Sequence, residues 1–159
     1  METHKNYWRR NRALVVLLLN TGLRVGELAG LKVSDVVTVQ GKIKVMLFVR
    51  PEIAKRKKPR HIPLNNTAQA AVKDLLDPEH RPEPGFDDAL IVTPRGRRLS
   101  VRMIQHVMTL AALKAGIERL VGPHGLRHTC LSRVYEKTTN IKLVQTLAGH
   151  INKTVKSEQ

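Results

Sequence analysis

Aromatic side chains are almost missing from this chain: one Trp, two Tyr and two Phe make up 3% of its 159 residues. That scarcity argues against a single-strand binder built from base-stacking platforms. Cysteine is rarer still. Cys130 stands alone, which excludes an internal disulfide framework and fits a reducing compartment. Its apolar surroundings mark it as a core residue rather than a nucleophile. Acidic residues are few, 13 Asp and Glu against 28 Lys and Arg, for a formal net charge of +15. An excess of that size predicts a polyanionic partner, nucleic acid first, although a basic surface without a specific partner would carry the same charge. Long hydrophobic runs are absent too: the longest, Ala13 to Leu19, is far too short to span a bilayer. It follows Arg9, Arg10 and Arg12, but no small-residue cleavage site comes after it. A soluble cytoplasmic protein with no membrane partner is expected.

What is present suits one domain with a real core, since 42% of the residues are apolar. Residues 11–20 read as a buried helix stopped near Thr21–Gly22, and a short helix follows from Arg24 to Leu31 with Leu23, Leu28 and Leu31 facing inward. Val36–Val39 and Lys42–Val49 flank Gln40–Gly41 as a β-hairpin. A basic loop, Lys55 to Arg60, leads into a strand from His61 to Leu64. Asn66 or Thr67 caps a helix ending at Leu76, and a loop with three prolines runs from Asp77 to Gly85. Ala89–Thr93 reads as a strand before the basic turn Pro94–Arg98. Ser100 caps an apolar helix ending at Gly116, Pro123 opens a helix to Lys137, and Ile141–Ala148 forms the last helix before Gly149. The fold class is α+β, mainly helical, with a small antiparallel sheet.

Three motifs carry chemistry. Thr21–Gly22–Leu23–Arg24–Val25–Gly26–Glu27–Leu28 resembles the first arginine box of the tyrosine recombinases, the phage integrase family. Alone, the same residues would suit an Arg24–Glu27 pair on a solvated helix face. His124–Gly125–Leu126–Arg127–His128 is similar to the family's His-x-Leu-Arg-His box, and His150, after Leu147–Ala148–Gly149, to its later histidine. Between the boxes, Lys55 stands five positions before Arg60 in a segment resembling the hairpin that carries the family's lysine. Lys57 and Lys58 are the other candidates. The resemblance covers nearly the whole chain and implies one catalytic domain over residues 1–159, acting on double-stranded DNA.

Transesterification at a phosphodiester piles negative charge on the non-bridging oxygens of a five-coordinate transition state. Two guanidiniums, permanently charged and fork-shaped, clamp such oxygens well where water is excluded. The resemblance assigns that clamp to Arg24 and Arg127, proton management of the attacking phenol to His124, a phosphate hydrogen bond to His150, and protonation of the leaving 5′-oxygen to Lys55. Glu27 and His128 would support the arginines from behind. Family chemistry passes through a 3′-phosphotyrosyl intermediate, so no metal or other cofactor is implied. Lys57, Lys58, Arg95, Arg97 and Arg98 are the expected phosphate contacts outside the clamp. On DNA the family assembles as homo-oligomers, tetrameric in the synapse, while the isolated domain is expected to be monomeric.

Competing readings bear on several residues. His124 and His128, at i and i+4, could ligate zinc, but the Glu of His-Glu-x-x-His and a third ligand are absent. His4, His61, His80 and His106 have no motif context. Lys55 to Arg60 alone would pass for a solvated basic loop. The family's tyrosine falls nine residues past the late histidine, where this chain has Gln159; its tyrosines are Tyr7 and Tyr135, the latter expected to pack within its helix. Residues 1–159 are therefore expected to lack both the nucleophile and the helical domain that completes the family's clamp, and to be cleavage-incompetent. The alternatives to a strand-exchange enzyme are a non-catalytic DNA-binding relic and a basic RNA-binding protein. Phage integration, transposition and chromosome resolution all fit the pattern.

Overall fold

A computed structural model describes residues 3–79, 81–117 and 121–149, with side chains from Tyr7 onward. Helix α1 (Thr3–Thr21) starts earlier than its apolar run and buries Ala13, Leu14, Leu17 and Leu18. That face meets α4 (Asn66–Leu76), whose Ala68, Ala71, Val72 and Leu75 are equally buried. The alanines on α4 are small enough to let the two backbones approach. Helix α6 (Pro123–Thr138) also packs on α1, and α5 (Val101–Lys114) closes the core with Ile104, Val107 and Met108.

The caps explain most helix ends. Ser100 Oγ accepts from the Met103 N–H at 3.2 Å, and Pro123 occupies the first turn of α6. The cap of α4 is Asn65, whose Oδ1 accepts from the Ala68 N–H at 2.8 Å, one residue before the expected Asn66 or Thr67. Helix α7 (Ile141–Ala148) ends on Gly149 at φ +63°, a left-handed conformation that glycine adopts without a Cβ penalty.

The sheet departs from expectation. Strand β1 (Met46–Val49) pairs antiparallel with β2 (Arg60–Pro63), not with Val36–Val39. Val33–Val36 forms α3 instead, because the Asp35 carboxylate accepts the Lys32 N–H at 2.9 Å and starts a helical turn. The expected hairpin shrinks to one bridge, Val37 to Ile43, around a tight turn at Gly41. Ala89–Thr93 likewise makes only isolated bridges, Lys32 to Ala89 and Val92 to Arg98. Tyr135 is 47% exposed rather than packed. Among the described residues, no helix is long and apolar enough to cross a membrane.

Candidate active site and nucleic-acid interface

The turn after α1 sets the first part of the site. Gly22 takes φ +63°, which ends α1 and aims its carbonyl across at α6. Two residues on, Arg24 opens α2 (Val25–Gly30) in extended conformation. Glu27, on the first turn of α2, folds its carboxylate back onto the Arg24 N–H at 2.8 Å and meets the Arg24 guanidinium at 3.3 Å. This pair is not on a solvated face: Glu27 is only 2% exposed.

Arg60 explains that burial. It enters from β2, on the same strand face as buried Ile62 and Leu64, and grips both Glu27 oxygens at 2.7 Å. Its Nε donates to the Leu147 carbonyl at 2.8 Å, and its guanidinium lies against Gly149, where an added Cβ would stand 3.1 Å from Nη1. Arg60 figured in the sequence only as a landmark for Lys55. The signal that could have revealed it is the alternation Arg60, Ile62, Leu64, which aligns it with the apolar face.

Arg127 completes the cluster. It lies on α6 and donates to the Gly22 carbonyl and, at 2.8 Å, to the Ala148 carbonyl. Arg60 and Arg127 thus occupy the C-terminal end of α7, satisfying carbonyls that a helix end leaves without partners. These two bonds use two of the five N–H groups a guanidinium offers. Burial and the charge of Arg24 press the Arg127 pKa down to about 10; Glu27 opposes them and Arg60 adds to them. Burial pushes the Glu27 carboxyl up, but hydrogen bonds from Arg60 and Arg24, with their charges, bring it below its ordinary value. Three guanidiniums around one carboxylate leave a surplus of buried positive charge, which an anion would neutralise.

The remaining candidates fall as follows. His124 sits on α6 one turn before Arg127, exposed, its ring edge-on to His128 at 4.8 Å. His128 therefore touches His124, while the bonds of Arg127 go to main-chain carbonyls. His150 lies outside the described residues, as do His80 and the side chain of His4. Lys55 stands exposed on a 3-10 turn, Lys55–Lys57, in the loop between β1 and β2, and Lys57 and Lys58 are exposed beside it. Arg95 and Arg97 project from a tight turn whose Gly96 has φ +75°. Arg98 differs from the other four: its Nη1 donates to the Ala29 carbonyl at 2.6 Å, so part of its guanidinium already serves the fold. Cys130 is buried, which pushes its thiol pKa up, away from thiolate chemistry. Among the described residues, no group of three His, Cys, Asp or Glu could hold a metal ion.

The sequence pattern of the phage integrase family matches residues 1–157. The chain belongs to the phage integrase family. This integrase-family chain is 37% identical over 143 residues to tyrosine recombinase XerC of Shewanella amazonensis, covering 90% of the chain and 46% of that relative. Tyrosine recombinase XerD of Oceanobacillus iheyensis is 34% identical over 148 residues, covering 89% and 46%. The crystal structure of XerA recombinase superposes with a TM-score of 0.75 at 32% identity, over 89% of this chain and 48% of that one. XerH site-specific recombinase, bound to difH substrate in a pre-cleavage complex, gives 0.73 at 25% identity, over 94% and 42%. The chain spans about half the length of the relatives it matches. Its fold is that of a tyrosine recombinase catalytic domain.

Proposed function

We propose that residues 1–159 form a single catalytic domain of a site-specific DNA recombinase, in which Arg24 and Arg127 clamp the phosphate at which strands are cut and rejoined. The observation that carries this reading is the Arg24–Glu27–Arg60–Arg127 cluster. It assembles four residues from three parts of the chain, is largely closed to water, and holds more positive charge than its own carboxylate balances. A non-bridging phosphate oxygen gaining charge in the transition state is the ligand such a cluster favours. His124, one turn from Arg127, would handle the proton of the attacking phenol, His150 would bond a phosphate oxygen, and Lys55 would protonate the leaving 5′-oxygen. Glu27 and Arg60 hold the clamp in shape; His128 would orient His124. No metal or other cofactor has a role in this chemistry.

The proposed partner is double-stranded DNA, and on it a homo-oligomer, tetrameric in the synapse; the setting is the cytoplasm. The likeness to XerH, which is bound to difH substrate, supports the DNA partner. Affinity would come mostly from phosphate contacts by Lys57, Lys58, Arg95 and Arg97, with a smaller share from Arg98. The isolated chain should bind duplex with little sequence preference. Counterion release then gives a log–log slope of affinity against salt of roughly −4 to −6, for about five to seven neutralised phosphates. A fluorescence-anisotropy titration whose affinity hardly changes with salt would rule out this interface.

The second reading is a DNA-binding relic that does not cut, and the placement of the two tyrosines bears on what these residues do alone. Tyr7 sits near the far end of α1 from Thr21, roughly 20 Å along the axis, and Tyr135 about two turns beyond Arg127 on α6, roughly 12 Å away. Neither is placed to attack a phosphate held at the clamp, so these 159 residues should not form a covalent adduct by themselves.

A further inference from the structure

The loop bearing Lys55 is held at both ends by arginines that reach onto one short helix. At its far end, Arg60 grips Glu27 on the first turn of α2. At its near end, Arg50 donates from Nη2 to the Gly30 carbonyl, the last residue of α2, at 2.9 Å, and from Nε to Asp35 at 2.7 Å. Asp35 is 3% exposed. Beside this pair, Ile53 lies directly on Gly30: a Cβ there would stand 2.5 Å from Ile53 Cγ2. The chain from Arg50 onward is a run of linked turns. The Arg50 carbonyl accepts from Ile53 and Ala54, and the Ala54 carbonyl from Lys57. Past Lys55 the backbone is strained, with Arg56 at φ +60° and Lys57 at φ +54°, conformations that side chains with a Cβ rarely adopt. Such strain persists only where the surroundings over-determine it.

We propose that Arg50 is a positioning residue: by holding Asp35 and the Gly30 carbonyl while Ile53 seats on Gly30, it sets the Lys55 loop in register with α2, the helix that begins at Arg24 and carries Glu27. This rests on the reading of Lys55 as the group that protonates the leaving oxygen. Helix α2 acts as a spacer about 9 Å long, with the phosphate clamp at one end and the anchor of the lysine loop at the other. A guanidinium suits the anchor because its planar fork reaches a carboxylate and a carbonyl together, which an ammonium on a flexible stem does not.

The loop supplies its own readout, since Lys55, Arg56 and Lys57 are trypsin sites; cleavage after Lys58 is blocked by Pro59. Limited trypsinolysis of the 159-residue chain, followed by mass spectrometry and paired with amide exchange over residues 53–58, compares four variants with the parent. Arg50→Met removes the anchor; Gly30→Ala pushes Ile53 away and leaves the ion pair alone; Gly30→Ala with Ile53→Ala relieves that clash; Arg12→Met removes an exposed pair with Asp74. Arg50→Met and Gly30→Ala should each speed cutting at 55–57 by about tenfold at temperatures where the global fold is intact. The double variant should return most of the way to the parent rate, and Arg12→Met should match the parent. Unchanged cutting and exchange in both Arg50→Met and Gly30→Ala would overturn the proposal. If Arg50→Met fails to fold because Asp35 is left buried without its cation, Gly30→Ala and its relief decide the matter. Added duplex DNA should shield the loop of the parent and lose that effect in Arg50→Met. Absence of shielding in the parent would contradict the DNA-facing role of Lys55, while the rate ratios would still stand for the anchor.

Discussion

Replacing Glu27 by Ala should cost the fold about 3–5 kcal/mol, the range for breaking a buried ion pair from one side. The reason is specific to this cluster. Glu27 accepts from the Arg24 N–H, the Arg24 guanidinium and both arms of Arg60, and its charge also offsets burial at Arg127. Its loss leaves three cations facing one another near the end of α7. For a chain of this size the melting temperature should fall by roughly 10 °C. Glu27→Gln keeps the shape and should lose less. The same pair of variants tests the titration. Because the folded-state pKa of Glu27 is lowered, its contribution is complete above the ordinary carboxylate range and disappears as pH falls through that range toward the folded value. Urea denaturation across acid pH should show that loss in the parent and a flatter profile in Glu27→Gln. A parent and variant with parallel profiles would mean that Glu27 is not the balancing charge.

The second large effect concerns chemistry. In an assembly that supplies a tyrosine, from a longer chain or a neighbouring subunit, Arg127→Ala should slow single-turnover cleavage of a nicked duplex by about 10²–10³-fold, the loss typical of one preorganised donor. Arg127→Lys should recover little. A lysine presents a point charge and cannot span the Gly22 and Ala148 carbonyls while keeping a planar face toward a phosphate. Duplex affinity should change far less than cleavage, because most binding comes from cations elsewhere. With the 159-residue chain alone, denaturing gels should show no covalent adduct. Equal losses in binding and cleavage would make Arg127 a general phosphate contact rather than a clamp for the reacting one.

Part of the cluster is legible in the sequence. The two boxes name Arg24, Glu27 and Arg127, and the glycine that stops α1 and the proline that starts α6 are legible as well; the extended Arg24 that opens α2 is seen only in the structure. Helix ends followed their caps at Ser100 and Gly149. The failures share a cause. Arg60 sits in a run of basic residues that reads locally as a solvated loop, and only Glu27, 33 positions away, makes it a buried ion-pair partner. Arg98 reads with its basic neighbours as a phosphate contact, and the bond of its Nη1 to the Ala29 carbonyl is invisible locally because it is long-range as well. The hairpin around Gly41 keeps its turn and a short pairing of its two arms, Val37 with Ile43, but Asp35 diverts Val33–Val36 into a helical turn and β1 finds β2 beyond the lysine loop. Turn and cap chemistry is written locally. Which charged side chain is drawn into the core is decided by what stands across from it.

The central claim, that Arg24 and Arg127 form one clamp on a DNA phosphate, is tested most directly by a crystal structure of this chain bound to duplex DNA. The account predicts a backbone phosphate with non-bridging oxygens in hydrogen-bond reach of both guanidiniums, His124 on the same phosphate, and the Lys55 loop and the Arg95–Arg97 turn along the flanking backbone. A duplex seated on another face, with the Arg24–Glu27–Arg60–Arg127 cluster turned away from any phosphate, would contradict it.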